Sequence, residues 1–256
     1  MSIELPRAPG FRLDGKRALV SGAGRGLGRA AAVALADAGA AVTLVARSGD
    51  EIEEVVAALR ASGAEAEALV LDVLDLEAMR AAVEAAAPFD ILVNNAGTNR
   101  PAPFLDVSEE DYGAIFDLNV RAAFFLAQAV ARRLVAAGKP GSIINMSSQM
   151  GHVGGAGRTV YCASKHAMEG FTKAMAIELA PAGIRVNTIC PTFIETPLTA
   201  PFFEDAAFKA AVLAKIKLGR LGRVEDLMGA IVFLASDSAA LMTGSALMID
   251  GGWTAE

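Results

Sequence analysis

Short runs of β-branched and apolar residues alternate along the whole chain with longer alanine-rich segments whose apolar positions recur at helical spacing. Strand, helix and strand in repeated succession predict an α/β fold, a doubly wound parallel sheet of about seven strands with helices on both faces. The predicted strands are Arg17–Ser21, Ala41–Ala46, Glu65–Leu71, Asp90–Asn94, Ser142–Ser147, Ile184–Cys190 and Ala246–Asp250. Most lack polar alternation, as expected where helices cover both faces. The predicted helices are Gly26–Ala38, Asp50–Ala61, Asp75–Ala86, Ser108–Ala137, Thr159–Ala180, Phe203–Lys217 and Val224–Ala235. No linker or repeat interrupts the alternation, so residues 1–256 read as a single domain. The less regular stretch 192–223, richer in Pro and Phe, reads as a lid over a site.

The first strand runs into Gly22-Ala23-Gly24-Arg25-Gly26-Leu27-Gly28 and then a helix. In that context a glycine-rich turn brings phosphate groups against free helix N–H groups. A side chain at Gly22 or Gly28 would block the pyrophosphate or the helix–strand contact. The second strand ends at Val45-Ala46-Arg47-Ser48, where an NAD enzyme would place an acid on the ribose 2′-hydroxyl. Here Ala46 takes that place, Arg47 follows it, and Arg25 lies in the glycine turn. Two guanidinium groups suit a 2′-phosphate, so NADP(H) is the expected cofactor; NAD(H) is the alternative if both are merely solvated surface charges.

Tyr161 and Lys165 stand one helical turn apart, about 6 Å along the axis, which would let the ammonium draw the phenol down from its ordinary pKa of about 10. Such a phenol serves as proton donor to a carbonyl oxygen receiving hydride, and Ser148, after the fifth strand, supplies a second donor. Asn119 is a polar residue in an otherwise apolar helical stretch. Together with Asn94-Asn95-Ala96-Gly97 and the spacing of Gly22, Gly26 and Gly28, these residues resemble the motifs of the short-chain dehydrogenase/reductase family over essentially the full chain.

The resemblance implies a Rossmann-type sheet and a catalytic tetrad of Asn119, Ser148, Tyr161 and Lys165. In it Ser148 polarises the substrate oxygen, Lys165 also holds the nicotinamide ribose, and Asn119 joins a proton relay through water. It further implies cofactor contacts from Asp72 and Val73 at the adenine, Asn95 and Gly97 at the ribose, and Pro191, Ile194 and Thr196 at the carboxamide. Thr192 stands where the family usually has glycine. Assembly as a homodimer or homotetramer through the two long helices is also implied.

His152 and Arg158 lie in the loop between Ser148 and Tyr161 and are candidates to contact a polar or acidic substrate group; a surface histidine and a solvated arginine are the alternatives. Three functions follow. The first is an NADP(H)-linked alcohol dehydrogenase or ketoreductase acting on a small polyhydroxy or sugar-derived compound. The second is a 3-oxoacyl-carrier-protein reductase, docking its carrier on Lys209, Lys215, Lys217, Arg220 and Arg223. The third is a dinucleotide-sensing protein without turnover, against which the complete tetrad argues.

Composition closes other routes. With 23 basic and 29 acidic residues the net charge is −6, which disfavours nucleic-acid binding. No apolar stretch in the sequence approaches the roughly 20 uninterrupted residues of a membrane span, and Met1–Gly10 does not read as an export signal. Two cysteines at unrelated spacing give neither a disulfide framework nor a zinc ribbon; free thiols in a reducing cytoplasm are expected, and no metal.

Overall fold

The computed structural model describes residues 5–255; Met1–Glu4, part of the segment read as carrying no export signal, and Glu256 lie outside the described residues. The strands are β1 (Arg17–Ser21), β2 (Ala41–Ala46), β3 (Ala66–Val70), β4 (Ile91–Asn94), β5 (Gly141–Met146), β6 (Ile184–Pro191) and β7 (Ala246–Ile249). They form one parallel sheet in the order β3-β2-β1-β4-β5-β6-β7. The order reverses between β1 and β4, and the crevice beyond the carboxyl ends of those strands is where such sheets bind ligands.

Helices α1 (Gly26–Asp37), α2 (Gly49–Ala61) and α8 (Glu225–Ala235) cover one face. The other face packs on α3 (Leu76–Ala85), α5 (Ala123–Ala136) and part of α6 (Thr159–Leu179). The strand period of two divides each strand between these layers. Ala18, Val20, Ile91 and Val93 enter the first core, while Leu19 and Leu92 enter the second. Each fully buried leucine there stabilises the fold by about 1.5–3 kcal/mol. The edge strand β3 departs from the expectation of two covered faces, since Val70 is 55% exposed.

Two predicted helices differ in the structure. The stretch read as Ser108–Ala137 begins at the Ser108 cap, whose hydroxyl accepts the Asp111 N–H, and comprises α4 (Glu109–Phe116), a π-helical turn Asp117–Ala122, and α5. With a mean hydropathy of 1.4 over its best window, this 28-residue helical run meets the length and composition of a membrane span, contrary to the sequence reading. Its residues Leu126, Val130 and Leu134 are instead buried in the second core. In the lid, Phe203–Lys217 is not one helix: a short 3-10 turn, Ala200–Glu204, precedes α7 (Ala206–Lys215). Asp205 sets the break by accepting the N–H groups of Ala207 and Phe208 as the cap of α7. Phe193, Phe203, Phe208 and Trp253 pack around Val212, Ile216 and Leu221 as a satellite core that holds the lid to the body.

Candidate active site

The turn after β1 is shaped from both sides. Ser21 Oγ accepts the N–H groups of Asn95 and Ala96, and the Asn95 side-chain amide donates to the carbonyls of Ser21 and Gly22, tying the β1 and β4 loops together. A Cβ at Gly28 would stand 2.1 Å from the Gly22 carbonyl oxygen, and one at Gly22, where φ is +65°, would press on Ala96 and Asn95. The backbone therefore closes tightly and leaves a cradle without side chains at the start of α1, the form that admits a pyrophosphate.

At the adenosine end, Arg25 and Arg47 are 66% and 74% exposed, with Glu51 and Asp72 at 4.0 and 3.9 Å, the outer limit of ion pairing. Ser48 caps α2 by position, yet its hydroxyl makes no capping hydrogen bond. Two loosely engaged guanidinium groups, a spare hydroxyl and a helix N-terminus converge there, and these residues fit a 2′-phosphate.

A continuous cavity of about 360 Å³ runs from this cradle to the start of α6. Of the nucleotide residues named from the sequence, Gly22, Arg25, Gly26, Leu27, Arg47, Ser48, Asp72, Val73, Asn95, Gly97, Pro191, Ile194 and Thr196 line it. Gly28 does not, and serves the helix–strand contact beneath. Ser148, Tyr161 and Lys165 line the far end.

Asn119 stands behind the wall, fully buried in the π-helical turn. Its Oδ1 accepts the Thr98 N–H, and its Nδ2 donates to the Thr98 carbonyl and to Ser164 Oγ. That side chain braces the β4 loop against α6.

Ser148 Oγ accepts the Met150 N–H and donates to Gln149 Oε1, which fixes its place at the cavity wall. Lys165 is buried, and its Nζ donates to the Met146 carbonyl at 2.7 Å. Burial lowers its pKa to about 8, while Cys190 and Glu169 nearby support the ammonium. The phenol of Tyr161 behaves differently from the sequence expectation. Burial raises its pKa, opposed by a hydrogen bond with Ser148 and by the positive charge of Arg158. Lys165 Nζ lies 5.6 Å from the centre of the Tyr161 ring, and the nearby Arg158 guanidinium also favours the phenolate.

The two substrate candidates part company. Arg158 is buried, lines the cavity, and lies over Phe202 at 4.6 Å and Phe193 at 5.8 Å. Among the described residues its guanidinium has no hydrogen-bond or ion-pair partner, and burial lowers its pKa. His152 does not line the cavity; its Nε2 turns the other way, toward Cys190 and Glu169. Counting four residues from Ser148 placed it near the site but could not give the direction of a side chain in a loop. Two further groups were given no contact by the sequence reading, although Thr192 was noted there in place of a glycine. Asn99 Oδ1 and Thr192 Oγ1 belong to cavity-lining residues, are buried, and have no hydrogen-bond partner among the described residues. The basic group read as a carrier dock is partly engaged: Arg220 makes a two-pronged pair with Asp226 at 2.6 and 2.8 Å, and Lys215 lies over Trp253.

Comparison with known proteins agrees with this geometry. Residues 22–254 match the family model described as enoyl-(acyl carrier protein) reductase. D-erythrulose reductase of Gallus gallus is 44% identical over 96% of this chain and 98% of its own. L-xylulose reductase of Bos taurus is 41% identical over 96% and 99%. The crystal structure of a gluconate 5-dehydrogenase from Burkholderia cenocepacia, in complex with NADP and tartrate, superposes with a TM-score of 0.93 at 38% identity, covering 96% of this chain and 98% of that one. With the reversal of strand order between β1 and β4, the glycine cradle, and Ser148, Tyr161 and Lys165 on one cavity wall, the chain belongs to the short-chain dehydrogenase/reductase family.

Proposed function

We propose that the protein is an NADP(H)-dependent oxidoreductase that interconverts a secondary alcohol and a ketone on a small polyhydroxylated substrate bearing a carboxylate. The observation that carries the substrate class is Arg158, a buried guanidinium in the wall of the catalytic cavity that has no counter-ion among the described residues. A buried unpaired charge is costly, and a carboxylate arriving there gains a two-pronged, charge-assisted partner already held between aromatic rings. Asn99 Oδ1 and Thr192 Oγ1, unpartnered in the same wall, suit hydroxyl groups along the rest of such a substrate. The tartrate in the Burkholderia structure is a hydroxylated dicarboxylate of this chemistry.

The bound nicotinamide supplies the hydride. Tyr161 donates its proton to the carbonyl oxygen in reduction and accepts it back in oxidation, and Ser148 Oγ holds that oxygen by a hydrogen bond. Lys165 keeps a positive charge next to the phenol and is placed to hold the ribose hydroxyls. Arg158 anchors the carboxylate and, by the same charge, favours the phenolate of Tyr161.

The selectivity between 5-keto-D-gluconate and neutral D-erythrulose tests the substrate class. Arg158→Met keeps the apolar contacts to Phe202 while removing the charge, and it is expected to cut the kcat/KM ratio of the acidic over the neutral ketone about 100-fold, mostly through KM. An unchanged ratio rejects the carboxylate. Failure of the wild-type protein to oxidise NADPH with any ketone rejects the reaction itself.

Lys165 also sets a pH dependence. Its ammonium, with a pKa of about 8, is lost as pH rises through that value. The kcat/KM for NADPH at saturating ketone, which reports the free enzyme, should fall above about pH 8 and be flat below it down to the neutral range.

A further inference from the structure

Behind the catalytic wall, three chemically unlike side chains from three separate elements meet. His152 follows β5, Glu169 sits on α6 one turn beyond Lys165, and Cys190 lies on β6. Cys190 Sγ is 3.4 Å from His152 Nε2 and 3.3 Å from Glu169 Oε1, and these last two atoms are 3.6 Å apart. Zinc bound tetrahedrally by a thiolate, an imidazole and a carboxylate, at bonds of about 2.3, 2.05 and 2.0 Å, holds those atoms about 3.3–3.6 Å from one another. The three atoms therefore already form one face of a zinc tetrahedron.

The surroundings favour a cation. Cys190 is wholly buried and the Glu169 side chain is 7% exposed, so a carboxylate is enclosed here, with His152 at 3.6 Å and the Lys165 ammonium also nearby. Thr188 Oγ1 donates to Glu169 Oε2 at 3.0 Å, orienting the carboxylate as an outer-sphere partner does. Ser147 Oγ, which is buried, sits beside Cys190. His152, with 30% of its side chain exposed, provides the way in from solvent. The mixed donor set, one soft sulfur with nitrogen and oxygen, selects Zn²⁺ over Mg²⁺ or Ca²⁺.

We propose that His152, Glu169 and Cys190 form a zinc-binding site outside the nucleotide and substrate cavity. Binding displaces the thiol proton of Cys190 to solvent and forms three bonds to the metal, with no change of oxidation state. The ion then links the Ser148 loop, the helix of Tyr161 and Lys165, and the strand that ends at Pro191.

Calorimetric titration of chelator-treated, full-length protein with ZnCl₂ tests the site. One equivalent should bind per chain with a Kd on the order of 1 µM or tighter, and Cys190→Ala and His152→Ala should each weaken it about 30-fold or more. His152→Ala lies at the surface, so it keeps the test valid if the buried Cys190→Ala fails to fold. Titration with CoCl₂ should add a near-ultraviolet thiolate-to-metal absorption that Cys190→Ala abolishes. Absence of binding at 1:1, or binding that survives either substitution undiminished, overturns the proposal, and so does a cobalt complex without the thiolate band.

Discussion

Tyr161→Phe is expected to lower kcat for ketone reduction about 1000-fold, a loss of about 4 kcal/mol of transition-state stabilisation, within the range that a positioned proton donor supplies. The substitution removes one oxygen from a ring that stays packed beside Lys165 and against the cavity wall. The nucleotide cradle, built by Gly22, Asn95 and the start of α1, is untouched. NADPH should therefore still bind with an affinity close to that of the wild type, measured by the fluorescence of the reduced nicotinamide. Steady-state turnover at saturating NADPH and ketone reads the chemical loss. Preserved turnover would remove the phenol from the mechanism, because Tyr112, the other tyrosine of the chain, is half-exposed on α4 and stacked on Phe116.

Replacing Arg25 and Arg47 together by alanine should raise the Kd for NADPH about 100-fold relative to that for NADH. Each guanidinium contributes at the low end of a hydrogen bond to a charged group, about 1.5 kcal/mol, since both sites are open to solvent. Neither arginine is committed elsewhere: their acids stand at 4.0 and 3.9 Å, and both guanidinium groups are mostly exposed. Parallel titrations with the two reduced cofactors at low and moderate salt separate the 2′-phosphate contact from general weakening. The salt dependence of the NADPH arm should shrink in the double variant. An unchanged ratio of the two dissociation constants would show that the ribose phosphate is held by something else.

The sheet was legible because its information is local. β1 and β2 coincide with the runs Arg17–Ser21 and Ala41–Ala46, and the remaining strands shift by a residue at their ends. The glycine cradle was legible for the same reason, since its tight closure is a property of consecutive residues. What depends on contacts between distant segments was not. The π-helical turn that seats Asn119 has the composition of ordinary helix and is fixed by hydrogen bonds to Thr98 and Ser164. Arg158 was legible as a residue near Tyr161, but the rings of Phe193 and Phe202 that hold it come from the lid. His152, Glu169 and Cys190 have no common spacing, and only the packing of α6 on β6 brings them together.

The hollow that receives the dinucleotide and the one that receives the ketone are a single space. Pro191 and Ile194 line this space, and on the proposed function they would hold the nicotinamide as the surface on which the second molecule rests. On the proposed function, a ketone arriving first would find Arg158 and Ser148 but no floor beneath them, and product-inhibition patterns are expected to show the nucleotide entering first and leaving last.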